Sequence, residues 1–161
     1  MDQTHSQWYI GAPNGVILCI NRRNGCELSG ELYHSYSAAA TEFSDLGQMT
    51  LLMEKLYDVL QFPHVGTNER SFFERNKPYM QRQERTKVMS DDQLLQKHGD
   101  IGTFIVRVQH RQNSSWQGRI TWMEEDKTIQ FRSVWEMVKL IENAVDTVSM
   151  SEDGEQPTWT E

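Results

Sequence analysis

The sequence predicts an α+β fold made of two tandem βββα repeats related by a pseudo-twofold, with antiparallel sheet covered by helices. Three observations predict it. The chain matches itself without a gap when Ile17–Asp58 is laid on Ile105–Asp146. Each copy opens on β-branched apolar runs and closes on a stretch with apolar residues at 3–4 spacing. A helix-start signal stands at the same place in both copies.

Eight of the 42 aligned pairs are identical: Ile17/Ile105, Arg23/Arg111, Gly30/Gly118, Phe43/Phe131, Met49/Met137, Leu52/Leu140, Glu54/Glu142 and Asp58/Asp146. Background composition gives roughly two to three. Leu18/Val106, Ile20/Val108, Leu32/Ile120, Leu46/Val134 and Met53/Ile141 keep apolar character in register. Self-similarity at a fixed offset marks a duplicated unit.

The first strand of each copy is Val16–Ile20 or Thr103–Val108. A polar turn follows, Asn24-Gly25 in one and Asn113-Ser114-Ser115 in the other. Asn-Gly between apolar runs signals a hairpin because both residues tolerate positive φ. Gly30–His34 and Gly118–Trp122 are second strands, and short third strands end at Phe43 and Phe131. In the second copy Ser133-Val134-Trp135-Glu136 reads as a capping box, and Asp45-Leu46-Gly47-Gln48 carries the same chemistry in the first. Leu46, Met49, Leu52 or Met53, Leu56 and Leu60 are expected as one buried stripe, and Val134, Met137 or Val138, Leu140 or Ile141, Ala144 or Val145, and Val148 as the other. Pro63 stops the first helix.

The boundaries follow. Residues 1–14 are expected as a flexible N-terminus, 15–62 as the first repeat and 103–148 as the second. Between them, 63–102 is a basic connector holding one short helix that begins at Ser90 and ends near Gly99. Its positive charge comes from Arg70, Arg75, Lys77, Arg82, Arg85 and Lys87. Residues 149–161 read as a disordered acidic tail. A unit of about 45 residues is too small to hold its own core, so the two repeats should share one.

Composition narrows the function. The formal net charge is −7, which argues against a general nucleic-acid binder. No run approaches the roughly 18 apolar residues of a membrane span, and the polar start offers no secretion leader. Two cysteines, Cys19 and Cys26, do not make a disulfide framework, so a reducing, cytoplasmic setting is expected.

Catalytic patterns are scarce. His5, His34, His64, His98 and His110 are scattered, and no metal-ligand spacing or Gly-rich phosphate loop occurs. Neither a metal nor a cofactor is expected. Cys19 lies mid-strand, where a buried structural thiol is the plain reading. Glu54 and Glu142 are either solvated helix faces or a carboxylate pair in a cleft between the copies. Trp122 and Trp135 fall on core positions of the repeat. Trp159 sits in the tail, as a solvated residue or a peptide anchor.

The segment Arg107–Arg119 stands apart. It holds Arg-x-x-x-Arg, then Asn-x-Ser-x-x-Gly, with only Gln112 between them. As strand residues, Arg107 and Arg111 would share a face. Trp116 beside Arg111, Gln117 and Arg119 either forms a contact surface or folds back over the sheet. Trp and Arg dominate binding hot spots because they combine apolar area with directed polar groups.

These two motifs resemble those of PilZ domains, β-barrel receptors for cyclic di-GMP. The resemblance covers about 12 residues and implies Arg107, Arg111, Asn113, Ser115 and Gly118 as ligand residues. Phe104–Asp146, with its Arg-Gln-Asn-x-x-Trp-Gln-Gly turn and Phe-Arg-Ser helix start, also resembles a recurrent uncharacterised bacterial domain. That resemblance implies a bacterial cytosolic setting and no reaction.

The sequence therefore points to a non-enzymatic module that binds a protein partner through the second-repeat hairpin and the basic connector. Its expected contact residues are Arg107, Arg111, Asn113, Ser115, Trp116, Gly118 and Arg119. The alternative is a cyclic-dinucleotide receptor using Arg107, Arg111, Asn113 and Ser115.

Overall fold

The computed structural model describes residues 8, 10, 11, 13–66, 70–73 and 85–153. The tail from 154 on, with Trp159, lies outside the described residues, as do His5, Arg75, Lys77 and Arg82. In chain order the elements are β1 (Gly15–Asn24), β2 (Glu27–Tyr33), β3 (Thr41–Phe43), α1 (Leu46–Leu60), α2 (Asp91–Leu95), β4 (Gly102–His110), β5 (Gln117–Trp122), β6 (Lys127–Phe131) and α3 (Val134–Asp153). The α+β class and the antiparallel sheet are as the sequence predicts. The strands form a single six-stranded sheet in the order β3-β2-β1-β4-β5-β6.

β1 and β4 join the two halves edge to edge, with Ile17 opposite Ile105. Registers recur at an offset of 88 residues. Ile17 pairs with Tyr33, and Ile105 with Thr121. An irregularity falls between Ile20 and Arg22, and again between Val108 and His110. Gly30 pairs with Phe43, and Gly118 with Phe131.

Alternation along the central strands feeds two cores. Val16, Leu18 and Ile20 of β1, with Phe104, Val106 and Val108 of β4, meet the helices. Met49, Met53 and Tyr57 of α1 and Met137 and Ile141 of α3 pack into that same cluster, all fully buried. Ile17, Cys19 and Ile105 face the other way, into a smaller cluster with Ile10, Met89, Leu94 and Met123. Because both faces are covered, these strands read as continuous apolar runs rather than as an alternating pattern.

Several expectations are corrected here. Residues 1–14 are not uniformly a flexible lead: Ile10 is buried in the second cluster, and Asn14 is buried as well. The Asn14 side-chain amide donates to the Val108 carbonyl, and the Asn14 carbonyl accepts from the Tyr57 hydroxyl at 3.1 Å. The last helix continues past residue 148 to Asp153. Trp135, expected in the core, is 66 % exposed, with the Lys139 ammonium 5.3 Å from its ring centre. It stands at the second residue of α3, between Val134, which packs against the main cluster, and Met137, which is buried in it, and it points away from both. Trp122 is half-buried against the main cluster.

Both long helices start as the sequence signals, with one shift. Asp45 accepts from the Gln48 amide at 2.7 Å, and Ser133 accepts from the Glu136 amide at 3.1 Å. The returning side chains reach one residue further back than a capping box does. Gln48 accepts from the Ser44 amide and Glu136 from the Arg132 amide. The connector helix α2 has the full box, Ser90 with Gln93, and ends at Leu95 rather than near Gly99.

Candidate functional site

At its C-terminal end α1 meets the β4–β5 hairpin in a dense polar–aromatic knot. Arg111 is 5 % exposed and spends its donors on the end of α1 and the residues just after it. Its Nε donates to the Pro63 carbonyl at 2.7 Å, and its terminal nitrogens to Asp58 at 2.7 Å and the Tyr57 carbonyl at 3.4 Å. No basic residue occupies the last turn of α1, so Arg111 supplies the cation that a helix C-terminus favours from another part of the chain. Tyr57 lies edge-on to Trp116, with ring centres 5.6 Å apart. Burial drives the Tyr57 phenol far above its ordinary range, with nearby Arg111 opposing.

A cleft of about 460 Å³ opens above this knot. Its walls bring together Thr50 and Glu54 from α1, Val65 and Arg70 from the connector, and Ser114, Ser115 and Val134 from the hairpin and the start of α3. Arg111 and Trp116 contribute to the lining from below. The hairpin turn is built on positive φ at Asn113 (55°) and Ser114 (60°). Ser115 accepts from the Val134 amide at 3.2 Å, which ties the turn to α3.

The expected contact residues separate. Arg111, Ser115 and Trp116 gather at the cleft. Trp116 is only 5 % exposed, so of its two placements the structure takes the folded-back one, and its part as a surface contact is corrected. Arg107 and Arg111 do not share a face. The irregularity between Val108 and His110 inverts the alternation, so Arg111 turns toward α1. Arg107 lies over Gly11 on the opposite face, where a Cβ on Gly11 would meet the Arg107 Nε at 2.7 Å. Arg119 stands opposite Arg107 across the strand pair, exposed. Asn113 is exposed in the turn. Gly118 is needed for strand approach, since a Cβ there would fall 2.1 Å from the Arg107 carbonyl oxygen.

Glu54 lines the cleft, whereas Glu142 is exposed on α3 and is not part of this lining. The two do not form one carboxylate pair at the cleft. Cys19 sits in the second cluster. Burial, then Glu31 and Glu124, push its thiol up to about 12, and it stays protonated at neutral pH. Among the described residues no group of three or more His, Cys, Asp and Glu side chains could hold a metal ion. No described helix is long and apolar enough to cross a membrane.

Sequence reasoning missed Thr50, Val65 and the exposed pair Phe72 and Phe73. Phe72 is fully exposed and Phe73 is 77 % exposed, two and three residues beyond Arg70 of the cleft wall. Two adjacent aromatics in an otherwise charged connector were the available signal. In comparisons with known proteins, no family model, curated protein or solved structure matches the chain.

Proposed function

We propose that the protein is a non-enzymatic module that binds a protein partner across the cleft between α1, the β4–β5 hairpin and the connector. One observation carries the reading: Phe72 and Phe73 stand in solvent two and three residues beyond Arg70, which lines an open cleft. Large exposed apolar side chains rimmed by polar groups mark contact surfaces. The contact residues shift accordingly. Phe72, Phe73, Arg70 and Glu54 are the surface, while Arg111 and Trp116 form the rigid floor beneath it. The described lining offers hydroxyls, one carboxylate and two guanidinium groups, which suit recognition by hydrogen bonds. The free Cys19 and Cys26 fit a reducing cytoplasm.

The cyclic-dinucleotide alternative asks Arg107 and Arg111 to hold one anion. Their placement on opposite faces gives that reading no support.

We also infer that the halves descend from one duplicated βββα unit, related by a pseudo-twofold near the Ile17–Ile105 pair. The coincidence of strand registers and irregularities at one offset supports this.

The binding reading is tested by capture from cells that express the protein naturally. The double variant Phe72→Ala, Phe73→Ala is compared with wild type and with Glu125→Ala, an exposed control. The aromatic variant should melt with wild type and lose the captured protein, which the control retains. Equal capture by all three rejects the reading.

A further inference from the structure

Two smaller grooves flank the sheet, one per half, each between a helix and the outer strands. The first, about 180 Å³, takes Leu32, His34 and Thr41 from β2, β3 and their link, and Leu52, Lys55, Leu56 and Val59 from α1. The second, about 280 Å³, takes Ile120, Trp122 and Ile129 from the strands, and Leu140, Asn143, Ala144 and Thr147 from α3. Taken in order, every residue of the first set lies 88 positions before its counterpart in the second. Both grooves therefore have the same construction.

Their chemistry also matches. Each floor is apolar, aliphatic at the first and aliphatic with the Phe104 ring at the second. Each rim carries cations: Lys55 and Arg85 at the first, Lys127 at the second. Neither lining includes an acidic side chain among the described residues, in a chain whose net charge is −7. Each groove also has an aromatic ring nitrogen at the equivalent position. The indole Nε1 of Trp122 is buried and has no partner among the described residues. His34 Nδ1 accepts from the Tyr36 amide at 3.1 Å, so the neutral ring carries its proton on Nε2. Burial, and then Arg85, hold the imidazole below its ordinary value and keep it neutral near pH 7.

We propose that the two grooves are equivalent docking sites for one kind of partner peptide, which seats a branched aliphatic side chain on the floor and a neighbouring carboxylate at the cationic rim. Size argues for a peptide side chain over a free small molecule, since small-molecule pockets run about 300–1,000 Å³. Charge complementarity argues for an acidic segment. Two like sites suit a partner that presents the segment twice, so that the second contact forms at high effective concentration. The occupant rests on the protein-partner reading above, but the surface is separate from the Phe72–Phe73 patch.

The test is an amide NMR titration of the full chain with acetyl-Glu-Leu-Glu-amide, with acetyl-Lys-Leu-Lys-amide and acetyl-Glu-Ser-Glu-amide as controls. The Val59 and Thr147 amides should move together with the first peptide and stay still with both controls. Lys55→Glu with Arg85→Glu should weaken the first groove by about tenfold or more and spare the second, while Lys127→Glu should do the reverse. These side chains are exposed, so the variants fold. The proposal is overturned by no shift at millimolar peptide, by shifts in one groove alone, or by equal shifts with a control peptide. It is also overturned if the groove signals depend on protein concentration without peptide, which means a second copy occupies them. Phe72→Ala with Phe73→Ala leaves this titration unchanged, so failure at the grooves and failure at the cleft are read separately.

Discussion

The Arg111 guanidinium donates to the Asp58 carboxylate at 2.7 Å, from the β4 end in one half to the α1 end in the other. Arg23 makes the reciprocal contact with Asp146 of α3 at 2.5 Å. Both arginines and both aspartates are identical pairs at the 88-residue offset, so four of the matched positions form two crossed ties between the halves.

The ties differ in burial, and so in weight. Arg111 is 5 % exposed and Arg23 is 37 % exposed. Removing Arg111 leaves the Tyr57 and Pro63 carbonyls short of a donor and opens space beside Tyr57. Arg111→Ala should cost about 2–4 kcal/mol. Arg23→Ala should cost at most about 1 kcal/mol, the range of an exposed pair. Urea unfolding of the two variants measures both. Equal losses would mean that burial does not set the value of the Arg111 contacts.

Glycine variants should separate steric need from conformational need. A Cβ on Gly30 would sit 1.8 Å from the Cys19 carbonyl oxygen, and one on Gly118 would sit 2.1 Å from that of Arg107. Neither backbone can retreat without unpairing the strands. Gly25 has φ +63° and open space around it, so alanine there meets only the backbone preference. Gly25→Ala should cost about 1 kcal/mol. Gly30→Ala and Gly118→Ala should each cost at least about 2–3 kcal/mol. Denaturation midpoints rank them, and a Gly25 variant as damaged as the other two would contradict the steric account.

Much of the fold was legible because the matched positions carry physical burdens that tolerate few residues. Ile17 and Ile105 face each other at the joint. Gly30 and Gly118 permit close strand approach, and Phe43 and Phe131 stand opposite them. Met49 and Met137 are fully buried. The site was far less legible. Period-2 reasoning put Arg107 and Arg111 on one face, and one irregularity at the end of β4 reversed that. Trp116 reads equally as a contact surface or as a ring folded back over the sheet until Tyr57, nearly 60 positions earlier, is known to lie against it. The cleft depends on α1, the connector and the hairpin meeting in space, and no local pattern encodes that meeting. Glu54 and Glu142 remain identical without a shared role that the structure explains.

The buried methionines offer a like-for-like comparison. Met49 and Met137 are both 0 % exposed, one in each long helix, under the same sheet face. Truncating either removes a fully buried flexible side chain and leaves a cavity. Met49→Ala and Met137→Ala should each cost about 2–5 kcal/mol. If the halves share one core, each single variant should unfold in one transition seen alike by fluorescence and circular dichroism. Two separated transitions would show that the halves unfold independently.

Cys19 and Tyr33 join the more deeply buried Tyr57 in making the fold lose stability at alkaline pH. Burial raises the Cys19 thiol from 9.0 to about 12, and the hydrogen bond to Glu31 leads the rise of Tyr33 from 10.0 to about 12. The folded chain holds both protons more tightly than the unfolded chain does. Their contribution is therefore complete below pH 9 and is lost as pH rises toward 12. His34 acts in the opposite direction: its lowered value means that stability falls as pH drops below the ordinary histidine range near 6.5. Thiol labelling at pH 8 reads the burial that underlies the Cys19 shift. Cys26 is exposed and Cys19 buried, so native protein should release one equivalent of chromophore from a disulfide reagent, and unfolded protein two. Rapid labelling of both thiols in the folded state would show that the second cluster, formed around Ile10, Ile17 and Leu94, does not exclude solvent from Cys19.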